Sequence, residues 1–272
     1  GVELELNNIP VNKKKFTWKI NLNLTHYKNK ITYLPDEKKT TVMDGHGGYM
    51  NGSRYYGEDL PINTWYMKRF AGLSEDGLSL WYYTDKETNE ELTPTTYSTG
   101  DFYLCGAPNP DLYGGFGTSI TFHGFDLSTQ FSYLVGGLTY DYGYAGMMGN
   151  PTATSVGNRW HKDVLKAWSP ENPSSTIPRW HFNDLNTTGS SDRFLIDGSY
   201  LNLQNIQVGY TLPDSWTSHL KIKNLRLYFV CDNVYYWSKR KGLDPRRSIS
   251  GVGTSGKIAP FRTYSGGISL QF

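Results

Sequence analysis

The stretch FTWKINLNLTH at 16–26 alternates residue by residue. Phe16, Trp18, Ile20, Leu22 and Leu24 share one parity, and Thr17, Lys19, Asn21, Asn23 and Thr25 share the other. A two-residue period places successive side chains on opposite faces of a strand and cannot build the apolar stripe of a helix. The chain must therefore make a sheet with one greasy face and one hydrophilic face. Residues 16–24 also match the roughly 9–11 residues that a tilted strand needs to cross a bilayer.

Six further segments repeat the pattern. Val2, Leu4 and Leu6 oppose Glu3 and Glu5. Phe116, Thr118, Ile120 and Phe122 lead into a tight turn expected at His123-Gly124, and the return strand carries Phe125, Leu127, Thr129, Phe131, Tyr133 and Val135. Glycine there supplies the backbone freedom of a short hairpin. The apolar phase slips between Leu201-Leu203 and Ile206-Val208-Tyr210, which predicts a bulge near Gln204-Asn205. Leu225, Leu227, Phe229 and Cys231 form a sixth run, whose opposite face mixes Arg226 and Asp232 with Tyr228 and Val230. Tyr264, Gly266, Ile268, Leu270 and Phe272 make the seventh.

Composition narrows the function classes. Net charge is only +2 over 272 residues, with 27 basic and 25 acidic groups, so nothing points to a nucleic-acid partner. No run of apolar residues is long enough for a helical membrane span. Aromatics at 15% and 29 glycines fit strands joined by long loops. Cys105 and Cys231 are far apart and read as unpaired. The opening GVELELNN lacks the basic start and apolar core of a signal peptide and reads as the beginning of a strand.

The spacing predicts short connections at 7–15, 123–125 and 212–221, and long ones at 33–113, 137–197 and 237–259. Short turns at one end and long loops at the other is the distribution found in membrane barrels. A soluble sandwich with its apolar face inward is the competing architecture. Connections this long are hard to place in a small sandwich. Seven antiparallel strands cannot close a barrel alone, and an open edge in hydrocarbon leaves backbone groups unpaired. On the membrane reading, further strands must come from elsewhere.

Several peptides then resemble, as an ordered set, the carboxyl-terminal portion of TonB-dependent transporters of the SusC/RagA kind from Bacteroidetes. These are SDRFLIDGSYLNLQNIQVGYTLP at 191–213, Asp232-Asn233 followed by KGLDP at 241–245, YGGFGTSITFHGFDLS at 113–128, WSPENPSSTIPR at 168–179 and GEDLPINTWYMKRFAGL at 57–73. The resemblance covers nearly the whole chain. It implies an all-β fold: residues 1–272 as about seven strands, the last part of a 22-stranded transmembrane antiparallel β-barrel with long extracellular loops, without the plug domain and TonB-binding segment. It further implies a multi-pass place in the bacterial outer membrane and active import of oligosaccharides or peptides. The implied partners are the amino-terminal barrel and plug, a SusD-like surface lipoprotein, TonB acting through the missing segment, and outer-membrane lipid.

On that reading Phe16, Trp18, Ile20, Leu22, Leu24, Tyr264, Ile268, Leu270 and Phe272 face lipid. The loop aromatics Trp65, Tyr66, Tyr140, Tyr142, Tyr144, Trp160, Trp168 and Trp180 are the candidates for stacking on a ligand or partner. No catalytic residues are expected, because no nucleophile elbow or metalloprotease helix is present. The six histidines lack metal-ligand spacing, so neither a metal nor another cofactor is expected; only the acidic run Asp85, Glu87, Glu90 and Glu91 leaves calcium as an open alternative. GVGTSG at 251–256 matches a dinucleotide pattern formally but lacks the flanking strand and helix, and reads as a loop. A secreted β-rich carbohydrate-binding module is the alternative function.

Overall fold

The computed structural model describes residues 1–153, 159–187, 189–240, 242–247, 251 and 260–272, with backbone only for Leu220 and Arg247. All of GVGTSG except Gly251 lies outside the described residues.

Seven long strands form one antiparallel sheet in strict sequence order: β1 Val2–Lys13, β2 Phe16–His26, β3 Leu112–Phe122, β4 Phe125–Val135, β5 Tyr200–Thr211, β6 Asn224–Ser238 and β7 Thr263–Gln271. Pairing by sequence neighbours makes the connections alternate between ends. The turns at 14–15, 123–124 and 212–223 lie at one end, and the segments 27–111, 136–199 and 239–262 lie at the other.

Register carries the alternation across the sheet. Trp18 opposes Ile120, which opposes Leu127, then Val208, Phe229 and finally Gly266. One residue along, Lys19 opposes Ser119, then Ser128, Gln207, Val230 and Ser265. The apolar face stays open: Leu4, Phe116, Phe125, Phe229 and Ile268 are all exposed. The predicted bulge is present, with Gln204 skipped by both neighbouring strands. The turn at His123-Gly124 has φ values of 50° and 89°, the left-handed pair that a two-residue hairpin requires. Strand β1 is longer than the sequence pattern predicts. A register shift between Asn8 and Val11 absorbs the break in alternation, and the ladder runs on to Lys13 opposite Phe16.

The expectation of a transmembrane antiparallel β-barrel is corrected by this topology. β1 and β7 are opposite edges of an open sheet, no ladder joins them, and the remaining strands among the described residues form separate small sheets. The seven long strands expected are present among the described residues, but they form an open sheet, and an odd number of antiparallel strands has no consistent seam. The expected localisation as a multi-pass barrel in the bacterial outer membrane is corrected with it, because this chain does not form a closed span. Among the described residues no helix is long and apolar enough to cross a membrane.

The dry centre lies off the sheet, within the long connections. A five-stranded sheet of Phe102–Leu104, Thr64–Lys68, Arg54–Gly57, His46–Asn51 and Thr41–Met43 belongs to the first connection. It packs Trp65 and Met67 against Tyr140, Met148 and Phe194 of the second. The third reaches the same cluster, where the Tyr140 N–H donates to the Gly251 carbonyl at 2.8 Å.

Gly124→Ala is expected to lower stability by about 1–3 kcal/mol, since the added Cβ meets the Thr211 carbonyl and φ is positive. Gly146→Ala, in the helix Tyr142–Met147 with open space around it, should be neutral or stabilising by up to about 1 kcal/mol. Paired denaturation curves in one buffer check both.

Candidate functional site

Two regions offer chemistry: the polar face of the large sheet and the layer of long connections. On the polar face a row of uncharged groups crosses six strands, with Asn7, Asn21, Gly117, Gln130 and Asn205 leading to Asp232. A glycine fits at the middle because a Cβ on Gly117 would strike the amide oxygens of Gln130 and Asn21. The Asn205 amide donates to Asp232 Oδ1 at 2.7 Å, and the Gly115 N–H donates to Asn23 Oδ1 at 2.8 Å. Asn7, Asn21, Gly117, Gln130 and Asn205 line a groove of about 450 Å³, together with Lys19. Nearer the short turns, Arg226 grips Asp126 through two bonds of 2.9 and 2.6 Å, and its guanidinium lies over the Tyr228 ring. Gly209 leaves room for this pair. The surface can therefore hold a polar ligand by hydrogen bonds.

In the loop layer, cations sit on aromatic rings and against carboxylates. Arg54 lies 3.1 Å from the Trp65 ring centre, and burial pushes its pKa down to about 10. Arg193 lies between the Phe70 and Phe194 rings, and burial again lowers its pKa to about 10. Lys68, nearly inaccessible, donates to the carbonyls of Tyr97, Ser98 and Gly100 at 2.7, 2.9 and 2.6 Å. Arg240 Nε meets the buried Asp141 at 2.6 Å, while Asp141 also caps the helix through the Tyr144 N–H. Asp244 takes both ends of Arg246 at 2.8 Å, and Arg246 Nη1 reaches Asn202 of β5 at 2.7 Å. A charged pair this deep is costly to break, because either partner alone is left buried and uncompensated.

The structure distributes the eight aromatic candidates unevenly. Trp65, Tyr66 and Tyr140 are buried, and burial lifts the Tyr140 phenol to about 12. Trp65 donates through its indole N–H to the Leu138 carbonyl at 3.2 Å, so its ring is occupied by protein. Tyr142 leans on Tyr140 at 4.4 Å. Tyr144 donates to Asp163 at 3.1 Å and meets His161 edge-on. Trp168 packs on Gly77, and Trp160 stands edge-on to Trp180 at 5.6 Å while donating to the Gly149 carbonyl. Trp65 and Tyr140 belong to the shared core, whereas Tyr66 packs against Tyr55 and Phe102. Trp180, at 44% exposure, is the one of the eight most open to solvent. The candidates of the apolar face remain at the surface, with Trp18, Tyr264, Ile268, Leu270 and Phe272 exposed and Phe16, Ile20, Leu22 and Leu24 half-buried.

Among the described residues no three His, Cys, Asp or Glu side chains come together to hold a metal. Asp85 instead accepts the N–H groups of Glu87 and Thr88, closing the turn between Tyr83–Thr84 and Glu91–Leu92. Sequence reasoning missed the Arg240–Asp141 contact, which joins residues 99 apart and leaves no local signature. The Asp244 anchor did have one, in the KGLDP peptide.

An open seven-stranded sheet with a polar and an apolar face, crowned at one end by three co-packed connections, defines a class that can be compared with known proteins. No family model matches the chain. TonB-dependent receptor P3 of Formosa agariphila is 28% identical over all of this chain and 28% of its own length. TonB-dependent receptor SusC of Bacteroides thetaiotaomicron is 26% identical over all of this chain and 26% of its own length. The solved RagAB peptide transporter superposes with a TM-score of 0.79 over 99% of this chain and 29% of that one, at 22% identity, a likeness of fold alone. At family level the chain is a homologue of TonB-dependent transporters of the SusC/RagA type. It spans just over a quarter of the length of these relatives. The homology is to a non-catalytic family and is consistent with a protein that is not an enzyme.

Asp244→Leu is expected to cost about 3–5 kcal/mol, and Asp244→Leu combined with Arg246→Met less, because no buried guanidinium is then orphaned; a double-mutant cycle by chemical denaturation reads the difference. Cys105, whose thiol burial pushes up to about 11 from an ordinary 9.0, should hold about 100-fold less thiolate at pH 8 than an unperturbed cysteine. Native-state alkylation should therefore be at least that much slower than labelling in denaturant.

Proposed function

We propose that this chain is part of a TonB-dependent importer of oligosaccharides or peptides that works with a SusD-like surface lipoprotein. It corresponds to a C-terminal portion of a longer protein, and the plug and TonB-binding segment lie in other parts of it. TonB supplies the work through that segment. The observation that carries this reading is the 28% identity to a TonB-dependent receptor maintained across the whole chain, not over one motif. Supporting it is the division of the sheet into a hydrogen-bonding face and an apolar face. The aliphatic and aromatic groups named above, from Phe16 to Phe272, occupy the apolar face.

The long connections form the end that meets the lipoprotein partner and the arriving cargo. Trp180, Phe182 and Leu185 lie exposed there, whereas Trp65 and Tyr140 are buried. The cargo is polar and too large for simple diffusion, and the amide row, with the Ser119 and Ser128 hydroxyls in the same groove, suits repeated hydroxyl or peptide groups.

An in-frame deletion of the gene in its own host provides the test. Growth should fail on one class of oligosaccharide or peptide and persist on the corresponding monosaccharides or free amino acids. Normal growth on every oligomer supplied would overturn the importer reading. Affinity purification of the full-length protein should bring down a surface lipoprotein in stoichiometric amount.

A further inference from the structure

At the end of the sheet away from the long connections, the three short turns close on one another. The His123 N–H donates to the Lys15 carbonyl at 3.1 Å, and the Thr211 N–H donates to the Gly124 carbonyl at 2.8 Å. Between them lies a cleft of about 380 Å³, lined by Lys14, Lys15 and His123, with Asp214 at its wall. The three turns and their flanks carry Lys13, Lys14, Lys15, Lys221 and Lys223 against the single carboxylate of Asp214, since Asp126 is already taken up by Arg226. Among the described residues neither Lys14 nor Lys15 makes an ion pair.

We infer that this cleft is a binding site for a phosphate-type anion. Lys14 and Lys15 place two ammonium groups at a concave, backbone-stapled pocket that holds one carboxylate, and like charges held close repel one another unless an anion joins them. Lysines bind a phosphoryl group as compact point charges with rotatable donors, and the His123 ring beside them adds a further polar group. Exposed rings of Phe122, Phe125 and Trp216 flank the turns. The phosphoryl group can therefore arrive free in solution or at the head of an amphiphile.

The test uses the full chain at low ionic strength, in non-ionic detergent for the soluble phosphates and diluted below the critical micelle concentration for the vesicles. Phosphorus NMR follows inorganic phosphate and glycerol phosphate, and co-flotation follows vesicles of phosphatidylglycerol against phosphatidylcholine. Lys14→Gln with Lys15→Gln should weaken association about 5- to 10-fold in whichever arm shows it, and Lys14→Arg with Lys15→Arg should retain it. Lys86→Gln with Lys162→Gln, equal in charge but remote, should leave it unchanged; circular dichroism confirms that each variant is folded. Association with soluble phosphate identifies a free anion, and association with phosphatidylglycerol vesicles alone identifies a headgroup. No association in either arm, or an equal loss in the remote pair, overturns the assignment.

Discussion

Three long stretches of chain leave the same end of one sheet and so must pack against one another. This constraint shapes the rest of the molecule. Because the seven strands pair in sequence order, the segments 27–111, 136–199 and 239–262 emerge side by side. Trp65 and Met67 come from the first, Tyr140, Met148 and Phe194 from the second, and Gly251 closes against Trp65 and Tyr140 from the third. Burying such aromatic and aliphatic side chains contributes about 1.5–3 kcal/mol each. That gain offsets part of the entropy of ordering the loops that supply them.

Polar links hold the same arrangement in register. The SDRF peptide acts as a junction: Ser191 bridges to Lys68, Asp192 accepts the Phe70 N–H at 2.8 Å, Arg193 stacks between rings, and Phe194 enters the core. Lys68 ties the first connection to its own 97–100 turn through three carbonyls. Arg246 carries the last connection down onto β5 through Asn202. Peptides that mark family resemblance in the sequence are thus, in large part, the fasteners of the loop layer.

The large sheet follows a different logic. Its strands are held by continuous ladders and cross-strand ring pairs, such as Phe116 on Phe131 at 4.6 Å, while the apolar face remains uncovered within this chain. The opposite face settles its polar groups among themselves, through Asn205 to Asp232 and Arg226 to Asp126. A sheet so divided presents two unlike faces, one hydrogen-bonding and one apolar.

Much of the sheet was legible from period alone. All seven strands, the His123-Gly124 turn and the bulge at Gln204 follow from side-chain parity and turn chemistry, which are local properties of the backbone. The extension of β1 to Lys13 was not, because Pro10 and the shift after Asn8 interrupt the parity that marks a strand. Closure into a barrel could not be read from alternation either, since each strand reports its two faces but not whether the outermost edges meet. Nor could the fate of the loop aromatics: Trp65 and Trp180 look alike in sequence, yet one is sealed and the other exposed. Parity determined which way each strand residue faces. Only the packing of segments 70 or more positions apart, where burial depends on what arrives from elsewhere in the chain, decided which rings became core and which remained available.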